Sequence, residues 1–129
     1  MDNLRLNEIF ALVDRKNRID FKGKWSVGSA TYLSEVRKEL VEVEEEIAAG
    51  RLCYLEEELG DVLWDYLNVV RCLADEQDVD IARVFERMQV KFAERISGIE
   101  NGESWGDIKA RQKERLAEEY SQTISERNH

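Results

Sequence analysis

The sequence predicts an all-α fold: an antiparallel bundle of four to five helices in one domain over residues 1–129. Three observations predict it. Apolar residues recur at steps of three and four in five separate segments. No segment alternates apolar and polar residues over a useful length. None of the 129 residues is proline, so nothing interrupts long helices.

The first helix is predicted over roughly 3–15, where Leu6, Ile9, Phe10 and Val13 share a face. The pattern then breaks, and residues 16–29 read as a basic loop carrying Lys16, Arg18, Lys22, Lys24 and Trp25. The second helix runs from about Thr31 to Ala49 on an apolar stripe of Leu33, Val36, Leu40, Val43 and Ile47. Ser29 or Thr31 is a suitable start and Gly50 a suitable stop. The third spans about Tyr54 to Ala74, with Leu55, Leu59, Val62, Tyr66, Val69, Val70 and Leu73 on one side. Gly60 inside it costs about 1 kcal/mol relative to alanine, which suggests a close contact there. The fourth runs from Ile81 to Arg95, with Asp80 as N-cap and Ile81, Val84, Phe85, Met88 and Phe92 buried. A weaker C-terminal helix covers 105–124, with Ile108, Leu116, Tyr120 and Ile124 as its thin apolar face.

The charge balance narrows the function. Twenty-eight acidic residues against nineteen Lys and Arg give a net charge of −9. That disfavours nucleic acid and anionic membrane surfaces as partners, both of which need clustered cations. No stretch approaches the roughly 20 apolar residues of a membrane span. The start, Met1-Asp2-Asn3, lacks the basic-then-apolar order of a signal peptide, so a cytoplasmic protein is expected. Cys53 and Cys72 are too few for a disulfide framework and read as reduced, buried or half-buried thiols. The single histidine is His129, which excludes histidine catalysis and the Glu-x-x-His pairs of di-iron bundles.

The acid is concentrated. Residues 35–61 hold ten carboxylates and three cations, so seven of the nine excess negatives lie in one helical hairpin. At 100° per residue, Glu35, Glu39, Glu42 and Glu46 form one stripe on the second helix. Glu58, Asp61, Asp65 and Asn68 form another on the third. Packed antiparallel, both stripes face one cleft. Like charges so placed destabilise the helices and raise carboxylate pKa values, and a hard divalent cation relieves both costs. Oxygen-only ligands suit Mg²⁺ or Mn²⁺, often shared with substrate phosphates. The same stripes equally suit a solvated face. A non-catalytic helical module whose acidic face binds a basic protein is therefore the alternative.

Glu39-x-x-Glu42, followed after fifteen residues by Glu58-Leu59-Gly60-Asp61, resembles the MazG-type all-α nucleoside triphosphate pyrophosphohydrolases. Residues 55–64, LEEELGDVLW, are similar to the most characteristic segment of that family. The resemblance implies hydrolysis of a nucleoside triphosphate between its α and β phosphorus, giving the monophosphate and pyrophosphate. It implies that Glu39, Glu42, Glu58 and Asp61 hold magnesium, or manganese in its place. Lys91 and Arg95, at i and i+4, would clamp phosphate oxygens; Trp25 or Trp105 would stack on the base; Asn68 and Lys109 match further polar positions. A relative restricted to deoxyuridine nucleotides or phosphoribosyl-ATP is a close alternative. Homodimers or dimers of dimers are expected, as in the family. One position departs: Lys38 stands where many members have Glu just before the first motif. Lysine cannot activate water while protonated, which leaves Glu35 and Glu57 as candidate bases.

Overall fold

A computed structural model describes residues 3–128; Met1, Asp2 and His129 lie outside the described residues. The described residues form five helices and no strand. These are α1 (Asn3–Lys22), α2 (Ser29–Ala49), α3 (Leu52–Gln77), α4 (Ile81–Glu100) and α5 (Trp105–Arg127). No helix among them is long and apolar enough to cross a membrane. The sequence reading treated 1–129 as one domain; the chain groups into two compact units, Met1–Ile81 and Ala82–His129.

In the first unit, α2 and α3 form the principal hairpin and α1 packs on α3. Gly50 ends α2 in the left-handed conformation (φ 70°), where a side chain is unfavourable, and its N–H donates to Glu46 O at 2.9 Å. The antiparallel sense is fixed at the far end. Glu76, near the end of α3, accepts from the Ser29 N–H at 3.0 Å and from Ser29 Oγ at 2.8 Å. Glu76 thus caps α2 from another helix. Neither expected local cap performs that role: Ser29 is the first helical residue, and Thr31 Oγ1 accepts from the Val27 N–H.

The core of the hairpin is small. Tyr32, Val69 and Cys72 are buried together, with Val36 and Leu73 packed against them. Three expectations are corrected here. Residues 16–22 continue α1, so the loop shrinks to 23–28. The buried face of α1 carries on past Val13 as Lys16, Asn17 and Asp20, and these polar residues bond other helices. A search for apolar periodicity reads that face as a break. Second, most of the expected apolar stripe of α2 lies outside the seam: Leu33, Leu40 and Ile47 are exposed, and only Val43 is buried. Tyr32 and Glu39 join Val36 and Val43 in the seam instead. On α3, Leu59 and Tyr66 are likewise exposed. Third, Gly60 has no neighbour within 4 Å of where a Cβ would sit. Of the thiols, Cys72 is buried and Cys53 exposed.

In the second unit α4 and α5 run antiparallel around a 101–104 turn. Ser104 caps α5 by accepting from the Asp107 N–H at 3.1 Å. A Cβ on Gly98 would stand 2.5 Å from Ile108 Cδ1, so the close approach of the two helices requires glycine there. Polar ties join the two helices: Arg87 pairs with Glu119 through both terminal guanidinium nitrogens at 2.8 and 2.9 Å, and Glu94 takes Arg111 and Arg115. The apolar residues expected in the core of α4, Phe85, Met88 and Phe92, are exposed, as are Leu116, Tyr120 and Ile124 of α5.

Candidate metal centre

The seam of the α2–α3 hairpin contains carboxylates where most helix pairs place leucine or valine. Between the Tyr32–Val69–Cys72 core and the Gly50 turn, α2 presents Glu35, Glu39 and Glu42, and α3 presents Glu58, Asp61 and Asp65. Antiparallel packing makes the two acidic stripes face one another. Glu39, Glu58 and Asp61 each bring an oxygen within 4.8 Å of the other two, and all three are half-buried.

This contact raises the Glu39 pKa from 4.5 to about 8. The hydrogen-bonding contact with Glu58 is the largest cause, followed by burial and by Glu42. Glu58 sits on the accepting side: its contact with Glu39 lowers its pKa, while burial, Glu42 and Asp61 raise it to a net upward shift. Glu42 is exposed but acts on both carboxylates, so it borders the cluster. No Lys or Arg ion-pairs with Glu39, Glu42, Glu58 or Asp61 among the described residues. Lys38 is 3.3 Å from Glu35, and Arg51 holds Glu46.

Two atoms test whether a cation suits this place. Glu39 Oε2 and Glu58 Oε2 are buried and have no hydrogen-bond partner. Buried acceptors without donors are rare and costly, about 1–3 kcal/mol each and more when charged. A hard cation satisfies both at once and removes the need for the shared proton. The donor set is all oxygen, which fits Mg²⁺ or Mn²⁺.

Residues 28–98 match the family model of the MazG nucleotide pyrophosphohydrolase domain. The chain belongs to the MazG family. No curated protein and no solved structure matches it. The matched span covers α2, α3 and most of α4, and so includes every carboxylate of the cluster.

The other residues that the MazG resemblance singled out are dispersed. Trp25, Trp105 and Lys109 fall outside the matched span. Trp25 follows α1, packed edge-on against Tyr32 (5.4 Å between centroids) with the Lys16 ammonium 4.4 Å from its ring centre. It remains 58% exposed, so it is held in place yet has surface free. Its support was missed in the sequence: Lys16 and Tyr32 both bond Asp20, and Lys16 reaches Tyr32 Oη at 3.1 Å. Burial, then the bond to Asp20, pushes the Tyr32 phenol well above its ordinary pKa. The available signal was the i, i+4 spacing of Lys16 and Asp20. Asn68 is almost fully buried, and its Nδ2 donates to Trp64 O at 2.9 Å. Glu35 is half-buried and Glu57 exposed.

Lys91, Arg95, Trp105 and Lys109 belong to the second unit. Lys91 and Lys109 are exposed. Arg95 is 9% exposed; its guanidinium lies about 5 Å from the Phe92 and Trp105 ring centres, and Nε donates to Gln112 Oε1 at 2.7 Å. Trp105 thus packs against the cation that joins α4 to α5.

The Glu39 shift has a definite sign. Folded, Glu39 keeps its proton up to about pH 8; unfolded, it loses it near the ordinary 4.5. The folded chain therefore binds more protons in that window, and stability falls as pH rises through it. In chelator, the melting temperature should fall between pH 6 and 9, and the fall should shrink markedly in Glu39→Gln. An equal fall in both proteins would remove Glu39 from the explanation.

Proposed function

We propose that this MazG-family protein is a magnesium-dependent nucleoside triphosphate pyrophosphohydrolase, releasing the monophosphate and pyrophosphate. The observation that carries the proposal is the pair of partnerless buried oxygens, Glu39 Oε2 and Glu58 Oε2, in a cluster with Asp61. Glu39, Glu42, Glu58 and Asp61 are assigned to magnesium, with manganese able to replace it. When bound, the ion supplies charge neutralisation for phosphate oxygens and acidifies a water.

The protein groups do the rest. Trp25, fixed by Lys16 and Tyr32, offers an open ring face on which a base can stack. Lys91 and Lys109 are the exposed cations assigned to phosphate oxygens. Arg95 and Trp105 position α4 against α5, and so set where Lys91 and Lys109 project. Asn68 braces α3 below the cleft. Glu35 and Glu57 are the carboxylates, outside the assigned ligands, that can accept a proton from water. The whole chain is taken as one functional domain because the family span 28–98 crosses both units.

The working form is assigned as a homodimer or dimer of dimers, its helices completing an antiparallel bundle between copies. On the first unit, Leu33, Leu40, Ile47, Leu59 and Leu63 are 41–62% exposed. Two helices of one hairpin cannot cover these faces and also line an acidic seam. Isolated exposed leucines are ordinary, but an apolar face along both helices of a hairpin marks an interaction surface.

Purified protein with Mg²⁺ and a panel of nucleoside triphosphates should release pyrophosphate and no orthophosphate. Glu58→Gln and Asp61→Asn should each lower the rate at least a hundredfold. Activity that survives both changes refutes the ligand assignment. Sedimentation equilibrium should give twice or four times the 15.1 kDa chain mass; a monomer at micromolar concentration refutes the assembly.

A further inference from the structure

The outer face of α1 is cationic and belongs to no part of the site described above. Arg15, Arg18, Ile19 and Lys22 line a pocket of about 280 Å³. At 100° per residue these four positions lie opposite Val13, Asn17 and Asp20, the side of α1 that is buried or bonds other helices. All four are exposed, Ile19 at 64%, so this face takes no part in the contacts that hold α1. Lys16, Lys38, Arg51 and Arg71 of the same unit each hold a carboxylate. Arg15, Arg18 and Lys22 have no ion pair or hydrogen bond among the described residues. The negative end of the helix macrodipole accounts for Lys22 in the last turn. That effect fades within the turn, and Arg15 lies two turns from the end. In a chain of net charge −9, three unpaired cations around one depression reverse the general balance.

We propose that this pocket binds a small anion with two linked phosphate groups, of which inorganic pyrophosphate is the simplest, and does so without a metal. Each phosphate group carries about −1.5 to −2 at neutral pH, so two of them match three cations in charge. Arg15 and Arg18 supply planar forks, each suited to two oxygens of one phosphate, and Lys22 supplies a mobile point charge. No carboxylate lines the pocket, and Ile19 adds a wall with no competing acceptor. The volume decides the size of the ligand. Ligand pockets run from roughly 300 to 1,000 Å³, and this one stands below that range, so it suits a small anion better than a whole nucleotide. The inference concerns side chains outside the carboxylate seam and does not need the hydrolase reading. Under that reading pyrophosphate is also the product, and the pocket is a product-binding site away from the reacting centre.

The test is a calorimetric titration of sodium pyrophosphate into the full chain, in chelator at pH 7.5 and low salt. Wild type should show one saturable site per chain, and orthophosphate should bind at least about tenfold more weakly. Arg15→Gln and Arg18→Gln should each weaken pyrophosphate at least about fivefold. Both replace exposed side chains, so the fold is kept. Arg37→Gln makes the same change in net charge at an exposed position of α2 outside the pocket, and should leave the affinity unchanged. No saturable binding, orthophosphate as tight as pyrophosphate, or an equal loss in Arg37→Gln overturns the proposal. So does sedimentation of the protein with phosphatidylglycerol vesicles that excess pyrophosphate fails to release, which would assign the face to a lipid surface. None of these readouts involves nucleotide turnover, so each leaves the hydrolase reading to its own test.

Discussion

Everything in the first unit answers to one constraint: two helices pack against each other through carboxylates. Glu39 meets Glu58 at the centre of the α2–α3 seam, and each has an oxygen without a donor. Packing acid on acid opposes folding, so the hairpin has to be held elsewhere. On one side stands the Tyr32–Val69–Cys72 core; beyond it the Glu76 cap ties the start of α2 to the end of α3. On the other side are the left-handed Gly50 turn and the Arg51–Glu46 pair. Helix α1 adds a third brace: Asp20 bonds Tyr32, Asn17 bonds Asp75 and Asp14 bonds Arg71. The strain is thereby confined to a short acidic layer between rigid ends. Enclosed polar sites of that kind are pre-organised for an ion, because the protein has already met the cost of bringing the ligands together.

The acidic seam also explains the apolar surface. A helix has about one face to bury, and α2 has given its inner face to Tyr32, Glu39 and Val43. Leu33, Leu40 and Ile47 lie on the flank and are exposed. Under the proposed assembly, site and assembly surface are two faces of the same helix. A substitution that rotates α2 would disturb both at once.

Parts of this were legible in the sequence. The five helices follow from apolar spacing, and the Glu-x-x-Glu and Glu-Leu-Gly-Asp segments mark the carboxylates that converge. The helix boundaries and buried faces were less legible, for a physical reason in each case. Residues 16–22 are helical because Lys16, Asn17 and Asp20 make polar bonds across helices, which apolar periodicity does not register. Leu33, Leu40 and Ile47 were placed in the α2 core because large aliphatic residues usually mean core, whereas this helix half-buries Glu39 and leaves them exposed. Arg95 was expected to clamp phosphate beside Lys91; the spacing did not reveal that its guanidinium lies against Phe92 and Trp105. Asp65 lay visibly on the acidic stripe; its burial needed the structure.

The central claim is that the metal-free protein keeps its acidic seam closed with a proton that a divalent cation displaces. Calorimetric titration of Mg²⁺ into chelator-treated protein at pH 7, repeated in buffers of different ionisation enthalpy, counts that proton directly. With Glu39 protonated up to about pH 8, binding should release close to one proton per chain, and almost none in Glu39→Gln. Magnesium that binds tightly to wild type at pH 7 without releasing a proton would contradict the account.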